Sequence, residues 1–318
     1  MNVFHDPDDV KVSAPSVLTF GVFDGLHLGH QEIMRRVIER ARALRLPATV
    51  VTFEPHPRAV LRPQTAPPLL QTFEQKMEGM ERLGIDQVVV LRFTPELAAV
   101  SATDFLRRLI FGRLDAREVY LGYGFAFGHN REGHFALLEQ VAADLGRTAE
   151  EVPEIRLRSH RISSTMIRRL LVAGRINLAR RMLGRPYGIE SRVVEGRRIA
   201  GAQLNYPTAN LKPYNTVTPA NGVYVTLTLI DGEWWRSVTN VGHKPTFGGE
   251  PEVTVETHVI DFARELYGET IRVRFLHRLR DERRFDSPDA LRAQIAEDYR
   301  RALRYFRAPA VRQHFTFR

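Results

Sequence analysis

Apolar positions in the first part of the chain follow two alternating rhythms. Short β-branched runs at 16–22 (SVLTFGV), 48–53 (ATVVTF), 86–93 (DQVVVLRF) and 117–121 (REVYL) are bounded by Gly, Pro or charge and read as buried strands. Helical spacing fills the gaps at 30–44, 73–83, 102–110 and 134–145. Strand–helix alternation predicts a parallel sheet covered by helices, with ligands beyond the carboxyl ends of its strands. Two short helices follow at 165–172 and 176–183, with Gly174 between them as a C-cap. The run 184–188 (GRPYG) then breaks the helical pattern, which predicts domains at 1–185 and 186–318.

The second part changes period. Segments 222–230 (GVYVTLTLI), 234–241, 252–260 (EVTVETHVI) and 270–276 alternate in twos between Gly/Asp/Asn turns. They predict an antiparallel barrel or sandwich. A last helix is expected over 288–306, capped by Ser287 with Pro288 at its first position.

Composition narrows the chemistry. The 318 residues are 43% hydrophobic, enough to build cores rather than a disordered chain. No cysteine is present, which removes disulfides, thiol nucleophiles and Cys-ligated metal. The net charge of +9 suggests an anionic partner. It divides almost evenly about residue 186, and basic residues come in pairs such as Arg107-Arg108, not as a dense arm. That speaks against nucleic acid. Residues 1–10 are acidic and lack the core of a signal peptide, and aliphatic runs such as Val88–Leu91 are strand length. A soluble cytoplasmic protein without a membrane partner is expected.

The sharpest local pattern is Gly21-Val22-Phe23-Asp24-Gly25-Leu26-His27-Leu28-Gly29-His30, between the first strand and first helix. Histidines three apart at a helix start can face one ligand. Gly29 allows close backbone approach, and the helix N-terminus favours phosphate. Zinc ligation, structural histidines or a plain Gly-rich turn are the alternatives. A second cluster, Ser163-Ser164-Thr165 with Arg168 one turn on, suits phosphate oxygens or is an ordinary cap. In the second part, Thr208 and Asn210 offer hard oxygens suited to Mg²⁺, or form a polar turn. Glu256 interrupts a β-branched strand, on the face shared with Thr254 and His258, which is also the pattern of an exposed face.

These motifs together resemble the bacterial bifunctional riboflavin kinase/FMN adenylyltransferases (FAD synthetases), of the H-x-G-H nucleotidyltransferase superfamily. In order along the chain, T-F-E-P-H-P (52–57), I-S-S-T-M-I-R (162–168), L-G-R-P-Y (183–187), P-T-A-N-L (207–211), N-V-G-H-K-P-T-F (240–247) and V-E-T-H-V-I-D-F (255–262) match that family's pattern. The resemblance implies an α/β Rossmann-like nucleotidyltransferase domain, then an antiparallel β-barrel riboflavin kinase domain with a C-terminal helix. It implies phosphorylation of riboflavin to FMN and adenylylation of FMN to FAD and pyrophosphate, with ATP and Mg²⁺ in both steps. His27 and His30 would stabilise the adenylyl-transfer transition state. Gly21, Phe23, Asp24, Gly29, Ser163, Ser164, Thr165 and Arg168 would hold ATP and its phosphates. Glu256 would be the kinase base, Thr208 and Asn210 the Mg²⁺ ligands, and Gly201 and Tyr206 part of the ATP/flavin site. Phe125 and Phe127 suit a flavin wall or plain core packing.

Four departures from the family pattern stand out. Gly124 stands where the family's G-x-[DN]-F-x-F-G carries a polar side chain. Ala202 replaces a basic residue and Asn205 a glycine before P-T-A-N, and Ser191 stands where glycine is common. Gly124, Ala202 and Asn205 motivate an alternative, a flavin- or nucleotide-binding protein retaining one activity or neither.

Overall fold

The computed structural model describes residues 1–5, 15–195, 208–213, 216–244 and 252–318. The chain forms two compact units, Met1–Ser164 and Thr165–Arg318.

The first unit is built on a six-stranded sheet of β1 (Asn2–Phe4), β2 (Ser16–Phe20), β3 (Ala48–Glu54), β4 (Gln87–Arg92), β5 (Ala116–Gly122) and β6 (Thr148–Val152). All its pairings are parallel, in the order β1-β4-β3-β2-β5-β6. Helices α1 (Leu28–Leu44), α2 (Phe73–Leu83) and α3 (Phe135–Asp144) lie between strands. Strand alternation feeds two cores. Val17, Val50 and Val88 pack with Met34, Val37 and Met80 of α1 and α2. Leu18, Val51 and Val89 pack on the other side with Phe105, Ile110 and Leu138. Coverage on both faces explains why β2 is buried at every position. The chain leaves β2 toward β3 and later returns to β5 on its other side, so β2/β5 is a topological switch point.

One expected α-helix, 102–110, takes another form. A short turn at Ala102–Asp104 leads into a wider π-type helix over Phe105–Arg113. Leu114 N–H donates to the Leu109 carbonyl five residues back at 2.9 Å. The wider turn places Phe105, Leu106, Ile110 and Phe111 together in the core, a spacing an α-helix would spread apart. Strands β1 and β6 lack a strong apolar pattern because they are short edge strands. A small hairpin, β7 (Arg156–Leu157) with β8 (His160–Arg161), precedes the end of this unit.

Helices α4 (Ser164–Val172) and α5 (Ile176–Leu183) lead into the second unit. There β9 (Tyr187–Val194), β10 (Ala209–Leu211), β11 (Gly222–Ile230), β12 (Glu233–Lys244), β13 (Glu252–Val259) and β14 (Thr270–Arg280) close an antiparallel barrel, ordered β10-β13-β12-β11-β14-β9. The sequence break at 184–188 falls after α5, yet both helices group with the barrel. Ala220 N–H donates to the Leu171 carbonyl at 3.0 Å, and α5 packs on β9 and β14. Inside the barrel, Tyr224 and Phe275 meet edge to face at 5.3 Å. The hydroxyls of Thr226, Thr228, Ser237, Thr239 and Thr257 bond to one another there. Mutual pairing satisfies groups that would be costly to bury alone. Outside, Val223, Val225 and Leu227 pack against Ala302 and Phe306 of α6 (Pro288–Arg307). Ser287 caps α6 by accepting from Ala290 N–H at 3.2 Å, with Pro288 in the first turn.

Candidate functional site

The loop from Gly21 to His27 leaves the carboxyl end of β2 at the switch point. Gly25 has φ +88°, and a Cβ there would lie 2.7 Å from Leu70, so the turn requires glycine. The Asp24 carboxylate, buried, accepts from Leu70 N–H at 2.9 Å. Gln71 Nε2 donates to the Phe23 carbonyl at 3.2 Å and Thr52 Oγ1 to the Val22 carbonyl at 3.3 Å. The loop is therefore tied at three successive residues.

His27 is the N-cap of α1. Its Nδ1 accepts from His30 N–H at 3.3 Å. With Nδ1 accepting, a neutral His27 ring carries its proton on Nε2 and is a donor there. The His27 and His30 rings stack at 3.6 Å with 19° between planes, and Phe23 meets His30 edge-on at 5.2 Å. Stacked rings present parallel edges to one anion. No group of three or more His, Cys, Asp or Glu suited to a metal occurs among the described residues. At Gly29 a Cβ would stand 3.2 Å from the His27 ring, so glycine lets that ring lie over the helix start.

The two serines of the 162–168 motif end the first unit. Ser164 Oγ donates to the Asp24 carbonyl at 2.8 Å, bringing that motif onto the loop after β2. Ser163 precedes it, and Thr165 and Arg168 belong to α4 in the second unit. Phe127 is buried and meets Phe20 edge-on at 5.0 Å; Phe125, half-buried, meets the same ring at 5.9 Å. Both belong to the packing around Phe20 in the core beneath β2 and β5. Gly124 adopts φ +69°, and a Cβ at this position would meet only Arg161 Nη2, at 3.8 Å. Glycine preserves this turn and removes a side chain that would stand in open space.

In the barrel, Asn210 is the register partner of Glu256, and Glu256 that of Asn240. Asn240 pairs in turn with Val223, and Val223 with Arg280. This row runs across five strands. Thr208, Asn240, Glu256 and Arg280 of this region line a cavity of about 330 Å³ whose other wall is α6. Val223, Val238, Leu291, Ile295 and Tyr299 supply apolar surface, while His258 and Asp298 add polar groups. Such a mix fits a planar aromatic ligand carrying a few polar atoms. Thr208 also borders a second hollow, with Phe262, Leu266 and Tyr267.

Comparison with known proteins decides the family. Residues 9–166 match the family model for FAD synthetase and residues 183–306 that for riboflavin kinase. A bifunctional riboflavin kinase/FMN adenylyltransferase from Pseudomonas fluorescens is 39% identical over 93% of this chain and 94% of its own length. The Haemophilus influenzae relative of that name is 36% identical over 93% and 96%. The chain belongs to the bifunctional riboflavin kinase/FMN adenylyltransferase family.

A solved structure described as a macrolide-efflux protein from Streptococcus pneumoniae is also similar: TM-score 0.84, 31% identity, 95% of this chain and 98% of that one. Among the described residues no helix is long and apolar enough to cross a membrane. The likeness adds the two-part fold, and that description stays with that protein.

Within the family, Gly201 and Tyr206 of the kinase motif, with the departures Ala202 and Asn205, lie outside the described residues. Ser191 is described. Its Oγ donates to the Lys212 carbonyl at 2.9 Å, fastening β9 to the segment that follows β10. Sequence reasoning placed His258 on the face of Glu256, quoted Asn240 only within a motif and did not single out Arg280 or Asp298. They enter the cavity through register and helix docking. It also passed over Lys76, a buried cation on α2.

Proposed function

We propose that this protein makes FAD in two steps, phosphorylating riboflavin to FMN in the barrel unit and adenylylating FMN with a second ATP at the loop after β2. The observation carrying this reading is that relatives named for both activities match over 93% of the chain. The functional boundary is proposed at 185/186, between an adenylyltransferase domain at 1–185 and a kinase domain at 186–318.

In the first step the riboflavin ring lies in the cavity between the barrel and α6, against Val223, Val238 and Tyr299. Its 5′-hydroxyl reaches Glu256, which accepts the proton as the oxygen attacks the γ-phosphorus of ATP and ADP leaves. The adenine lies in the hollow of Phe262, Leu266 and Tyr267, and Thr208, bordering both spaces, stands where γ-phosphate and hydroxyl meet. Thr208 Oγ1 and Asn210 Oδ1 are hard neutral oxygens beside the Glu256 carboxylate, a donor set that fits Mg²⁺. When bound there, Mg²⁺ would neutralise phosphate charge.

In the second step an FMN phosphate oxygen attacks the α-phosphorus of ATP in line, and pyrophosphate leaves. No covalent enzyme intermediate is needed, so positioning and charge stabilisation carry the rate. His27 and His30, with the N-terminus of α1, hold the reacting phosphate. Ser163, Ser164, Thr165 and Arg168 hold the departing pyrophosphate. Gly21, Phe23, Asp24 and Gly29 shape the loop that receives ATP. Phe125 and Phe127 back the flavin side as packing under Phe20. The enzyme works in the cytoplasm on small molecules, without nucleic acid.

Purified protein with riboflavin, ATP and Mg²⁺, its flavins separated by chromatography, tests both steps. FMN accumulating without FAD removes the second step. FAD from added FMN, but no product from riboflavin, removes the first.

A further inference from the structure

Lys76 breaks several rules of ordinary folding at once. It is 6% exposed, although lysine is rarely buried without a close partner. It sits in the first turn of α2, just after the Thr72–Gln75 capping box, where the helix dipole disfavours a cation. Its Nζ is 3.4 Å from Thr52 Oγ1 and 4.0 Å from Glu54 Oε2, with the Phe73 ring centroid at 5.7 Å. Neither polar contact is a close ion pair. Burial pushes its pKa below the ordinary lysine range, against the opposing pull of Glu54 and Asp24. A methionine would fill this space without those costs. A local conflict of this kind, beside ligand-binding strand ends, marks function.

Its surroundings say which function. Thr52 Oγ1 receives the Lys76 N–H and donates its own proton to the Val22 carbonyl, so the contact runs from α2 through β3 into the loop after β2. The charged and titratable groups around the hollow it lines are Asp24 from the loop, and Glu54 and His56 from the end of β3. Two carboxylates beside the proposed phosphate site would repel the substrate.

We infer that Lys76 is a positioning residue for adenylyl transfer: its ammonium fixes the loop carrying Asp24 and His27 through Thr52 and cancels carboxylate charge where phosphate enters. The inference rests on the adenylyltransferase reading above.

The test is Lys76→Met and Lys76→Arg in the full-length protein, with Lys76→Gln as a second neutral variant should Lys76→Met not fold. FAD formation from FMN, FMN formation from riboflavin and the thermal midpoint are measured on each. The neutral variants should keep or raise the midpoint, lose roughly tenfold to a hundredfold in FAD formation, and leave riboflavin phosphorylation unchanged. Lys76→Arg should recover part of the loss. The native pH profile should fall on its alkaline limb below the lysine range, and that limb should vanish in Lys76→Met. Native-level FAD formation in a folded neutral variant overturns the inference alone. So does a loss that merely tracks a lower midpoint. A native protein that makes no FAD overturns the adenylyltransferase reading and the inference together.

Discussion

Asn210 and Glu256 stand directly opposite one another across β10 and β13, and Glu256 has Asn240 opposite it on its other side. Partners in an antiparallel pair project to the same face with Cβ atoms about 5 Å apart. A carboxylate is thus set between two carboxamides on the wall that faces α6. Flanking amides are placed to orient the carboxylate without setting a second charge beside it.

Glu256→Gln keeps the shape of this row and removes the proposed base. FMN formation from riboflavin should fall by about a hundredfold to ten-thousandfold. FAD formation from added FMN should be unchanged. Chromatographic assay of both steps on one preparation checks this. Equal loss of both activities would point to damage of the fold.

His27 has a structural task and a proposed chemical one, and two substitutions separate them. His27→Ala removes the cap of α1 and should cost about 1 kcal/mol as well as FAD formation. His27→Asn restores a capping oxygen but no ring. It should recover the stability measured by urea unfolding and still fail to form FAD from FMN. Recovery of activity with asparagine would reduce His27 to a cap.

The contrast between these sites explains what the sequence could reveal. The loop 21–30 is local: glycines, histidines and the helix start are neighbours in sequence, so its outline was legible. The alternation around Glu256 was legible for the same reason: on the face opposite it, Val255, Thr257 and Val259 are buried and Val253 is half-buried. Asn210, Asn240, Glu256 and Arg280 come together only through strand register across the barrel. Alternation within one strand carries no information about which residue of another strand lies opposite. Lys76 was invisible for a different reason. A lysine on an amphipathic helix reads as solvent-facing, and only the packing of α2 against the end of β3 shows it buried. The 105–113 helix defeated the 3.6-residue template because its core residues recur at five.

Gly124 offers a gain-of-function test. Its φ of +69° is one that Asn adopts more readily than most residues, and a Cβ there meets only Arg161 Nη2 at 3.8 Å. Gly124→Asn should therefore fold with at most about 1 kcal/mol lost. The amide it adds should lower the KM for FMN in FAD formation, with KM for riboflavin phosphorylation unchanged. Steady-state kinetics with FMN as the varied substrate checks this.

His277 sets a pH dependence of barrel stability. Its ring stacks on Tyr305 of α6 at 5.4 Å, and burial first, then the charge of Arg301, hold its pKa below 6.5. The unfolded chain then binds the proton more readily than the folded one. Stability from this group is complete above about pH 6.5 and declines as pH falls toward the lowered folded value. His277→Phe keeps the stacked ring and removes the proton site. The drop in unfolding midpoint between about pH 7.5 and about pH 5.5 should be smaller in that variant than in the native protein.

The cavity wall on α6 is held by a charge pair whose two halves are unequal. Asp298 is almost wholly buried, with its side chain 4% exposed, while that of Arg280 is 17% exposed. Arg280 Nε donates to Asp298 at 2.9 Å and Nη2 at 2.8 Å, and Gln294 Nε2 adds a bond at 2.9 Å. Asp298→Ala would leave the guanidinium in the cavity wall without its anion, at a cost of about 3 kcal/mol. Arg280→Met would strand a carboxylate that is more deeply buried, so it should cost at least as much, unless the acid takes up a proton. Replacing both, Arg280→Met with Asp298→Leu, removes the stranded charge and should recover most of the stability in a double-mutant cycle. Activity should not follow stability back. The double variant loses two polar groups lining the proposed riboflavin cavity, so its KM for riboflavin should stay raised, while FAD formation from FMN stays near native. A double variant with native KM for riboflavin would show that the pair holds α6 in place and does nothing for the ligand.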